Sequence, residues 1–364
     1  MKREEKPMYK NLRVVPHLIF GRGSLAQLGD VLANKRTDTS CPMVFLIDEV
    51  HEGKAWVKSL PCHDSDLLIY VNVDEEPKTR YVDELTDRVK SFSNRQADGV
   101  IGIGGGSTMD LAKAVALMIT NPGSAADYQG WDLVKYPGVY HVGIPTLAGT
   151  GAEVSRTTVL TGPTRKLGIN SDYTPFDQII LDPDLVKGAP REQRFYTAMD
   201  TYIHGAESLD GTFINEFSRA YADKSMDLCR EVFLGELDDD TSDEKLMIGS
   251  YFGGMSIAYS QVGVCHALSY GLSFLLGTKH GIGNCIVFEH LEDYYPESVR
   301  EFRQMVACND ITLPTGITEG LTNEQFDTMI EVALGMEPLW ENALGPDWRS
   351  IMTADKARGL YELM

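Results

Sequence analysis

The sequence predicts an α/β, Rossmann-like dinucleotide-binding domain over residues 1–187 and an all-α domain over residues 188–364. In the first half, short apolar segments alternate with amphipathic stretches, which is typical of a parallel sheet covered by helices on both faces. Beyond the turn at 182–185 the strand signal stops and the remaining pattern is helical. The chain has 364 residues, a length that fits two domains of roughly 150 residues.

The elements of each half follow from the period of the apolar residues. In the first half we expect strands at 42–47, 66–73, 100–103, 140–144 and 179–181, with helices at 84–93 and from 108 onward. In the second half we expect helices at 196–209, 216–234, 241–262 and 265–276. Strands that end beside glycine-rich turns place candidate ligand contacts at one edge of the sheet.

The charge and cysteine content exclude several classes of partner. With 33 basic and 53 acidic residues the net charge is −20, so phosphate backbones and anionic lipids are repelled, and we expect neither a nucleic-acid nor a membrane partner. The N-terminal stretch at 1–13 has no apolar core and does not resemble a secretory signal. The six cysteines form no CxxC pair, which predicts reduced thiols and a cytoplasmic protein.

A glycine-rich turn follows the strand at 100–103 and predicts a phosphate site. Gly104, Gly105, Gly106 and Ser107 allow a backbone to approach a phosphate closely. The helix that follows, with Asp110 in its first turn, adds N-terminal amides that favour an anion. The run is not a strict GxGxxG, and a tight structural turn without a ligand is the alternative.

Two other strand ends carry candidate cofactor contacts. Asp48 ends the strand at 42–47, where a carboxylate can accept hydrogen bonds from an adenine ribose and disfavours a 2′-phosphate. We therefore expect NAD rather than NADP, although a turn-forming aspartate is nearly as good an explanation. Thr146 and Thr150 follow the strand at 140–144, at the edge where ligands bind, or they form a structural turn.

One carboxylate and three imidazoles predict a catalytic metal site. Asp200 and His204 are four residues apart and share a helix face, and His266 and His280 are surrounded by small residues. Such a ligand set suits a divalent cation with an open position for substrate, and both Zn²⁺ and Fe²⁺ tolerate it. A surface Asp–His pair and buried core histidines are the alternative.

Five motifs together resemble the iron-type, or group III, metal-dependent alcohol dehydrogenases. They cover nearly the whole chain in the order of the family: GGGSTMDLAK, PTLAGTGAEVS, KLGINSDYTPFDQIILDPDL, MDTYIHGAES and HALSYGLS…KHGIGNCI. The resemblance implies a dehydroquinate synthase-like architecture, with the cofactor cleft between the two domains. It also implies NAD, one divalent metal (Zn²⁺ or Fe²⁺), a small alcohol or sugar-acid substrate, and a homodimer.

The resemblance also implies roles for individual residues. The metal ligands would be Asp200, His204, His266 and His280, and the pyrophosphate loop would be Gly104–Ser107. The remaining cofactor contacts would be Asp48, Asp110, Thr146, Leu147, Thr150, Ser155, Lys166 and Leu185.

Two positions depart from the family pattern. Tyr270 stands where many members carry a second histidine, four residues after His266, so the proton relay must use Tyr270, water or a ribose hydroxyl. Together with Lys166 it is a candidate catalytic residue, but an ordinary tyrosine with a pKa of about 10 is a poor base, and it could equally only shape the pocket. Leu147 stands where a second threonine is frequent.

Two basic residues are candidates for binding a substrate carboxylate. Arg156 follows the AEVS turn, and Lys279 directly precedes His280. Either could hold a carboxylate in a protein of net charge −20. Surface ion pairs are the alternative.

The predicted function is the metal-assisted, NAD-linked oxidation of a primary alcohol to an aldehyde. A dehydroquinate synthase-type lyase also uses NAD and a metal, but it needs several basic residues for a phosphate, and few lie near these motifs. A metallohydrolase could use the same ligands, but it would not need the ribose contact predicted for Asp48.

Overall fold

The computed structural model describes residues 12–364. The segment 1–11, which contains most of the N-terminal stretch judged above not to be a secretory signal, lies outside the described residues. Within residues 12–364, no helix is both long and apolar enough to cross a membrane. The α/β fold of the first half and the all-α fold of the second half are confirmed. The boundary at residue 187 stays a prediction.

Six parallel strands form the main sheet, in the order β1-β9-β6-β4-β2-β3. Their bounds are β1 His17–Phe20, β2 Met43–Asp48, β3 Leu67–Val71, β4 Gly99–Gly104, β6 Tyr140–Pro145 and β9 Gln178–Leu181. β2 and β4 are buried along their whole length, because helices cover both faces of a parallel sheet.

The helices that cover this sheet are α1 to α4, and each buries its apolar face against the strands. Their bounds are α1 Leu28–Ala33, α2 Ala55–Lys58, α3 Thr79–Phe92 and α4 Gly106–Thr120. α3 begins five residues before the predicted start at 84, because its first turns bury Thr79 and Val82.

A second, three-stranded sheet was not predicted from the sequence. It consists of β5 Gly130–Trp131, β8 Lys166–Asn170 and β7 Thr157–Thr161, with β7 and β8 antiparallel. The strands are short and carry glycine, threonine and lysine instead of a continuous apolar run, so their period is weak. This sheet places Lys166 and Arg156 relative to the site.

The second half is a helical domain around one large apolar core. Its helices are α5 Arg191–Asp210, α6 Glu216–Phe233, α7 Asp239–Tyr259, α8 Val264–Leu276, α9 His280–Phe288, α10 Pro296–Cys308, α11 Asn323–Leu334, α12 Glu337–Leu344, α13 Trp348–Ile351 and α14 Ala354–Tyr361. α5 is buried over most of its length, because α6, α7 and α9 pack against it. It is the central helix from which the site is built.

Candidate functional site

A cavity of about 580 Å³ lies along the carboxyl edge of the main sheet and is closed by the helical half. Residues from both halves line it, from Asp48 in β2 to His280 in α9. β2 lies between β3 and β4 in the sheet. The chain passes from β2 to β3 on one side and then returns to form β4 on the other side of β2. In doubly wound sheets a ligand binds at such a switch point, outside the carboxyl ends of the strands.

The glycine turn forms the wall of this cavity at the N-terminus of α4. Gly105, Gly106 and Ser107 line the cavity, and α4 is a helix of 15 residues, so its free amides and dipole favour an anion. A Cβ atom on Gly106 would lie 2.9 Å from Thr150 Oγ1, and one on Gly105 would lie 3.1 Å from Leu147 Cδ1. The absence of side chains therefore lets Gly105 and Gly106 lie close to Leu147 and Thr150 on the cavity wall.

Gly104 has a different role from the one predicted. It does not line the cavity, and a Cβ atom there would lie 2.4 Å from Thr108 Oγ1. Gly104 is therefore needed for close packing of β4 against α4, while the next three residues line the cavity.

Asp48 lies at the carboxyl end of β2, on the cavity wall. Its side chain is largely buried, and Oδ1 accepts a hydrogen bond of 3.2 Å from the backbone N–H of Val50. Burial raises the pKa of this carboxyl group above its usual value. This position fits the predicted contact with a ribose. The hydrogen bond from Val50 shows that Asp48 also forms a turn, and one carboxylate can do both.

Most other predicted cofactor residues line the same cavity, and Lys166 does not. The lining includes Asp110, Thr146, Leu147, Thr150, Ser155 and Leu185. Asp110 is half-buried near Lys113 and accepts a hydrogen bond of 3.1 Å from the backbone N–H of Val159. Burial raises the pKa of Asp110 and lowers that of Lys113, and Lys113 Nζ donates to the carbonyls of Ser155 and Thr157.

The structure brings the four predicted metal ligands together at one end of the cavity. One side-chain atom of each residue lies within 4.8 Å of those of the others: Asp200, His204, His266 and His280. Asp200 and His204 share one face of α5, while His266 lies in the first turn of α8 and His280 begins α9.

The protonation states of Asp200, His204 and His280 suit a cation. Although burial favours the neutral carboxyl group, the neighbouring imidazoles hold the pKa of Asp200 well below its usual range. Burial lowers the pKa of His204 to about 4 and also lowers that of His280, so both are neutral ligands at pH 7. Among residues 12–364 the buried Asp200 Oδ2 has no hydrogen-bond partner. A buried anionic oxygen without a donor is expensive, so a divalent cation fits the site.

His266 is set apart by a second carboxylate. Burial opposes protonation of His266, but the carboxylates of Glu207 and Asp200 outweigh it and raise its pKa to about 9. Glu207 Oε2 lies 2.5 Å from Nδ1 of His266, which leaves Nε2 directed at Asp200, 3.3 Å away. Metal-ligating histidines commonly have such a carboxylate partner.

Glu207 and Asn284 belong to the site and were not predicted. Asn284 Nδ2 donates a hydrogen bond of 2.7 Å to Asp200 Oδ1 and lies 3.1 and 3.2 Å from Nε2 of His266 and His280. Helical spacing could have found both residues. Glu207 lies three residues after His204, and Asn284 lies four residues after His280, so each shares a face with a ligand.

Tyr270 lines the cavity beside the cluster, with its ring centroid 6.0 Å from that of His280. Burial, followed by the charges of nearby carboxylates, raises the pKa of its phenol well above the usual value. Lys166 lies over the ring face, 5.3 Å from its centroid, and pairs with Glu76 at 3.2 Å and Ser273 at 3.0 Å. Tyr270 is therefore a protonated hydroxyl at neutral pH.

The two candidate carboxylate-binding residues have different environments. Arg156 pairs with Asp172 at 2.9 Å and with Asp132, and its side chain does not line the cavity. Its guanidinium is thus held by two carboxylates beside the second sheet, which is the ion-pair alternative given for it above. Lys279, at the N-cap of α9, is exposed and lines the cavity.

Two protein-family models match the chain and together cover most of it. The model described as "Iron-containing alcohol dehydrogenase" matches residues 16–183, and the one described as "Fe-containing alcohol dehydrogenase family, C-terminal" matches residues 194–334. The first match contains the glycine turn, and the second contains all four clustered ligands.

Individual proteins are also similar to this chain in sequence or in structure. Alcohol dehydrogenase 4 of Schizosaccharomyces pombe is 28% identical over 328 residues, which are 87% of this chain and 75% of that protein. Sulfoacetaldehyde reductase of Bilophila wadsworthia is 30% identical over 279 residues, 74% of this chain and 70% of that protein. The crystal structure of sulfoacetaldehyde reductase from Bifidobacterium kashiwanohense in complex with NAD⁺ has a TM-score of 0.78 at 19% identity and covers 97% of this chain and 98% of that one.

Proposed function

Because the chain belongs to the iron-containing alcohol dehydrogenase family and is an oxidoreductase that uses NAD and a divalent metal, we propose that it oxidises the primary alcohol of a carboxylated sugar to an aldehyde. The observation that carries the proposal is the single cleft, with the phosphate turn at one end and the Asp200 cluster at the other. A metallohydrolase would have no use for a dinucleotide site, and a dehydroquinate synthase-type lyase would need several basic residues for its phosphate leaving group.

Each end of the cleft has a defined task. Asp200, His204, His266 and His280 would hold the cation, and Gly105–Ser107 would hold the diphosphate of NAD. When bound, the cation supplies Lewis acidity that lowers the pKa of an alcohol, and the nicotinamide supplies a hydride acceptor. The chain itself orients these groups and keeps His204 and His280 neutral by burial.

Tyr270 closes the wall beside the cluster and keeps its proton. Because burial raises its pKa, we propose that it shapes the pocket and can donate a hydrogen bond to a substrate oxygen. In this proposal the proton of the alcohol leaves through water or a ribose hydroxyl. The ammonium group of Lys166 lies over the face of the Tyr270 ring and forms an ion pair with Glu76.

For the substrate we propose the C8 hydroxyl of 3-deoxy-D-manno-octulosonate, in the synthesis of lipopolysaccharide sugars. Within its family, the chain resembles overall the enzymes that oxidise this hydroxyl group, and this resemblance supports the choice. Lys279 supports it as well, because it is an exposed cation on the cavity wall next to His280. The relative named sulfoacetaldehyde reductase is also named for a small molecule that carries a fixed anion.

Further features of the protein are proposals of the same kind. We propose a homodimer, since β1 is an edge strand of the main sheet with Leu18 and Phe20 exposed, and such edges readily pair with a second chain. We propose a cytoplasmic location, because Cys229, Cys265 and Cys285 are free and buried thiols. Either Fe²⁺ or Zn²⁺ suits the ligand set.

The test is an assay of the protein loaded separately with Fe²⁺ and Zn²⁺, with NAD⁺ and either 3-deoxy-D-manno-octulosonate or 1,3-propanediol. We expect metal-dependent reduction of NAD⁺, followed near about 340 nm, and higher kcat/KM with the sugar acid. Lys279→Met should raise KM for the sugar acid about tenfold and leave KM for the diol unchanged. Turnover of neutral alcohols alone would refute the proposed substrate and leave the dehydrogenase assignment intact.

A further inference from the structure

Three side chains form a hydrogen-bonded row in the wall of the cofactor cleft. Lys54 Nζ lies 2.9 Å from Nδ1 of His51, and Nε2 of His51 lies 2.8 Å from Oγ1 of Thr146. All three residues line the cavity. The His51 ring is buried and packs edge-on against Trp56, with centroids 5.1 Å apart.

The direction of the hydrogen bonds in this row follows from the donor inventory. An ammonium group can only donate, so Nδ1 of His51 accepts from Lys54. The single ring proton of a neutral His51 is then on Nε2 and is donated to the Thr146 hydroxyl. The imidazole is neutral because burial, with the nearby charge of Lys54, lowers its pKa to about 4.

Thr146 lies beside the phosphate turn. It follows β6 directly, and its backbone N–H donates a hydrogen bond of 2.9 Å to the carbonyl of Gly104. Its hydroxyl accepts from His51 and keeps one proton of its own. Among residues 12–364 no acceptor takes that proton, and Thr146 lines the cavity together with Gly105. Thr146 thus presents a donor at the place where an anion is expected.

We propose that Lys54 and His51 are positioning residues for the diphosphate of NAD, which fix the Thr146 hydroxyl as a hydrogen-bond donor to a diphosphate oxygen. Thr146 contacts the cofactor, and the other two residues act through it. The positive charge at Lys54 polarises both hydrogen bonds of the row in the same direction, and a bond from a polarised donor to an anionic oxygen is strong. The proposal rests on the cofactor and is independent of the proposed substrate.

The experiment measures the dissociation constants of ADP-ribose and adenosine for the full-length metal-loaded protein by titration calorimetry. Lys54→Met, His51→Phe and Thr146→Val should each weaken ADP-ribose about tenfold, the usual effect of losing a hydrogen bond to a charged group. Adenosine has no phosphate, so its dissociation constant should not change. His51→Gln can still donate to Thr146, so it should recover most of the ADP-ribose affinity.

Double variants test whether the residues act in series. In the Thr146→Val background, adding His51→Phe or Lys54→Met should weaken ADP-ribose by less than about twofold. A further tenfold loss on adding Lys54→Met would mean that Lys54 contacts the phosphate directly and would overturn the proposal. Equal weakening of adenosine and ADP-ribose would overturn it as well, because that pattern indicates general damage to the cleft. Lys54 is exposed, so Lys54→Met tests the row even if substitutions of His51 prevent folding.

Discussion

Glu207 and His266 form a buried hydrogen-bonded pair in which Oε2 lies 2.5 Å from Nδ1. Glu207 Oε1 also accepts the backbone N–H groups of Cys265, at 2.6 Å, and of His266, at 3.4 Å. One carboxylate on α5 thus fixes both the start of α8 and the orientation of the imidazole at that start. Nε2 of His266 is thereby directed into the metal cluster.

We expect Glu207→Gln to weaken binding of the divalent cation by about 10–100-fold, the usual effect of losing such a partner. The amide keeps the shape of the side chain but removes the charge that orients His266 and raises its basicity. Metal affinity should be measured by competition with a chromophoric chelator. Glu192→Gln, an exposed change on the same helix, is the matched control. Unchanged affinity in a folded Glu207→Gln protein would contradict this role.

A second prediction concerns Asn284, whose amide donates to Asp200 Oδ1. In Asn284→Asp a second carboxylate lies beside a buried Asp200, and two like charges repel unless a cation separates them. The metal-free variant should therefore melt at a lower temperature than the metal-free wild type. Adding Zn²⁺ should raise its Tm by at least about 3 °C more than it raises that of the wild type.

Differential scanning calorimetry with and without chelator checks this prediction. Asn309→Asp is the control, since that residue is distant from the cluster and its amide caps the ends of α6 and α10. Equal metal-induced increases in Tm for the wild type and Asn284→Asp would show that the side chain at position 284 does not interact with the cation.

Much of the fold could be predicted because its signals are local. Strands β2, β4 and β6 are apolar runs bounded by turn residues. Their observed bounds lie within one or two residues of the predicted ones. The spacing of Asp200 and His204 places both on one helix face, and the structure places them there. Local periodicity thus carries information about each element and about pairs within it.

Contacts between distant segments could not be predicted in the same way. Arg156 meets Asp132 and Asp172 only because the short second sheet brings them together, and that sheet has no strong period in the sequence. Glu76 accepts from the backbone N–H of His280, which lies 204 residues further along the chain. Such pairs depend on tertiary packing, and a single sequence does not show which polar residues will be enclosed together.

The raised pKa of Tyr270 gives a prediction about the pH dependence of turnover. Because the phenol stays protonated beyond its usual range, it contributes no ionisation between pH 6 and 10. Tyr270→Phe should therefore keep the pH profile of kcat over that interval and lower kcat by less than about fivefold, the loss of one neutral hydrogen bond. Steady-state kinetics at each pH on the metal-loaded enzyme provide the measurement. A loss above a hundredfold, or a shifted alkaline limb, would instead identify Tyr270 as a proton-transfer residue.

The ion pair between Arg36 and Asp66 should stabilise the N-terminal domain and set part of its acid sensitivity. The guanidinium donates to both carboxylate oxygens, at 2.8 and 2.6 Å, and the backbone N–H groups of Met43 and His63 donate at 2.9 and 2.8 Å. Burial disfavours the charged form, but these donors outweigh it and lower the pKa of Asp66. Both side chains are largely buried, so solvent screens the pair only weakly.

Asp66→Asn should therefore lower the free energy of unfolding at pH 7 by about 1.5–3 kcal/mol, because Arg36 loses its charged hydrogen-bond partner. A carboxyl group whose pKa is lowered by folding stabilises the protein above its unfolded-state pKa of about 4 and loses that contribution as the pH falls through the folded-state value. The difference between wild type and variant should thus be constant from pH 7 to about 5 and shrink below about 4. Urea unfolding at each pH measures it, with the exposed Asp64→Asn as control. A difference that persists undiminished at pH 3 would show that the charge of Asp66 is not what stabilises this corner of the sheet.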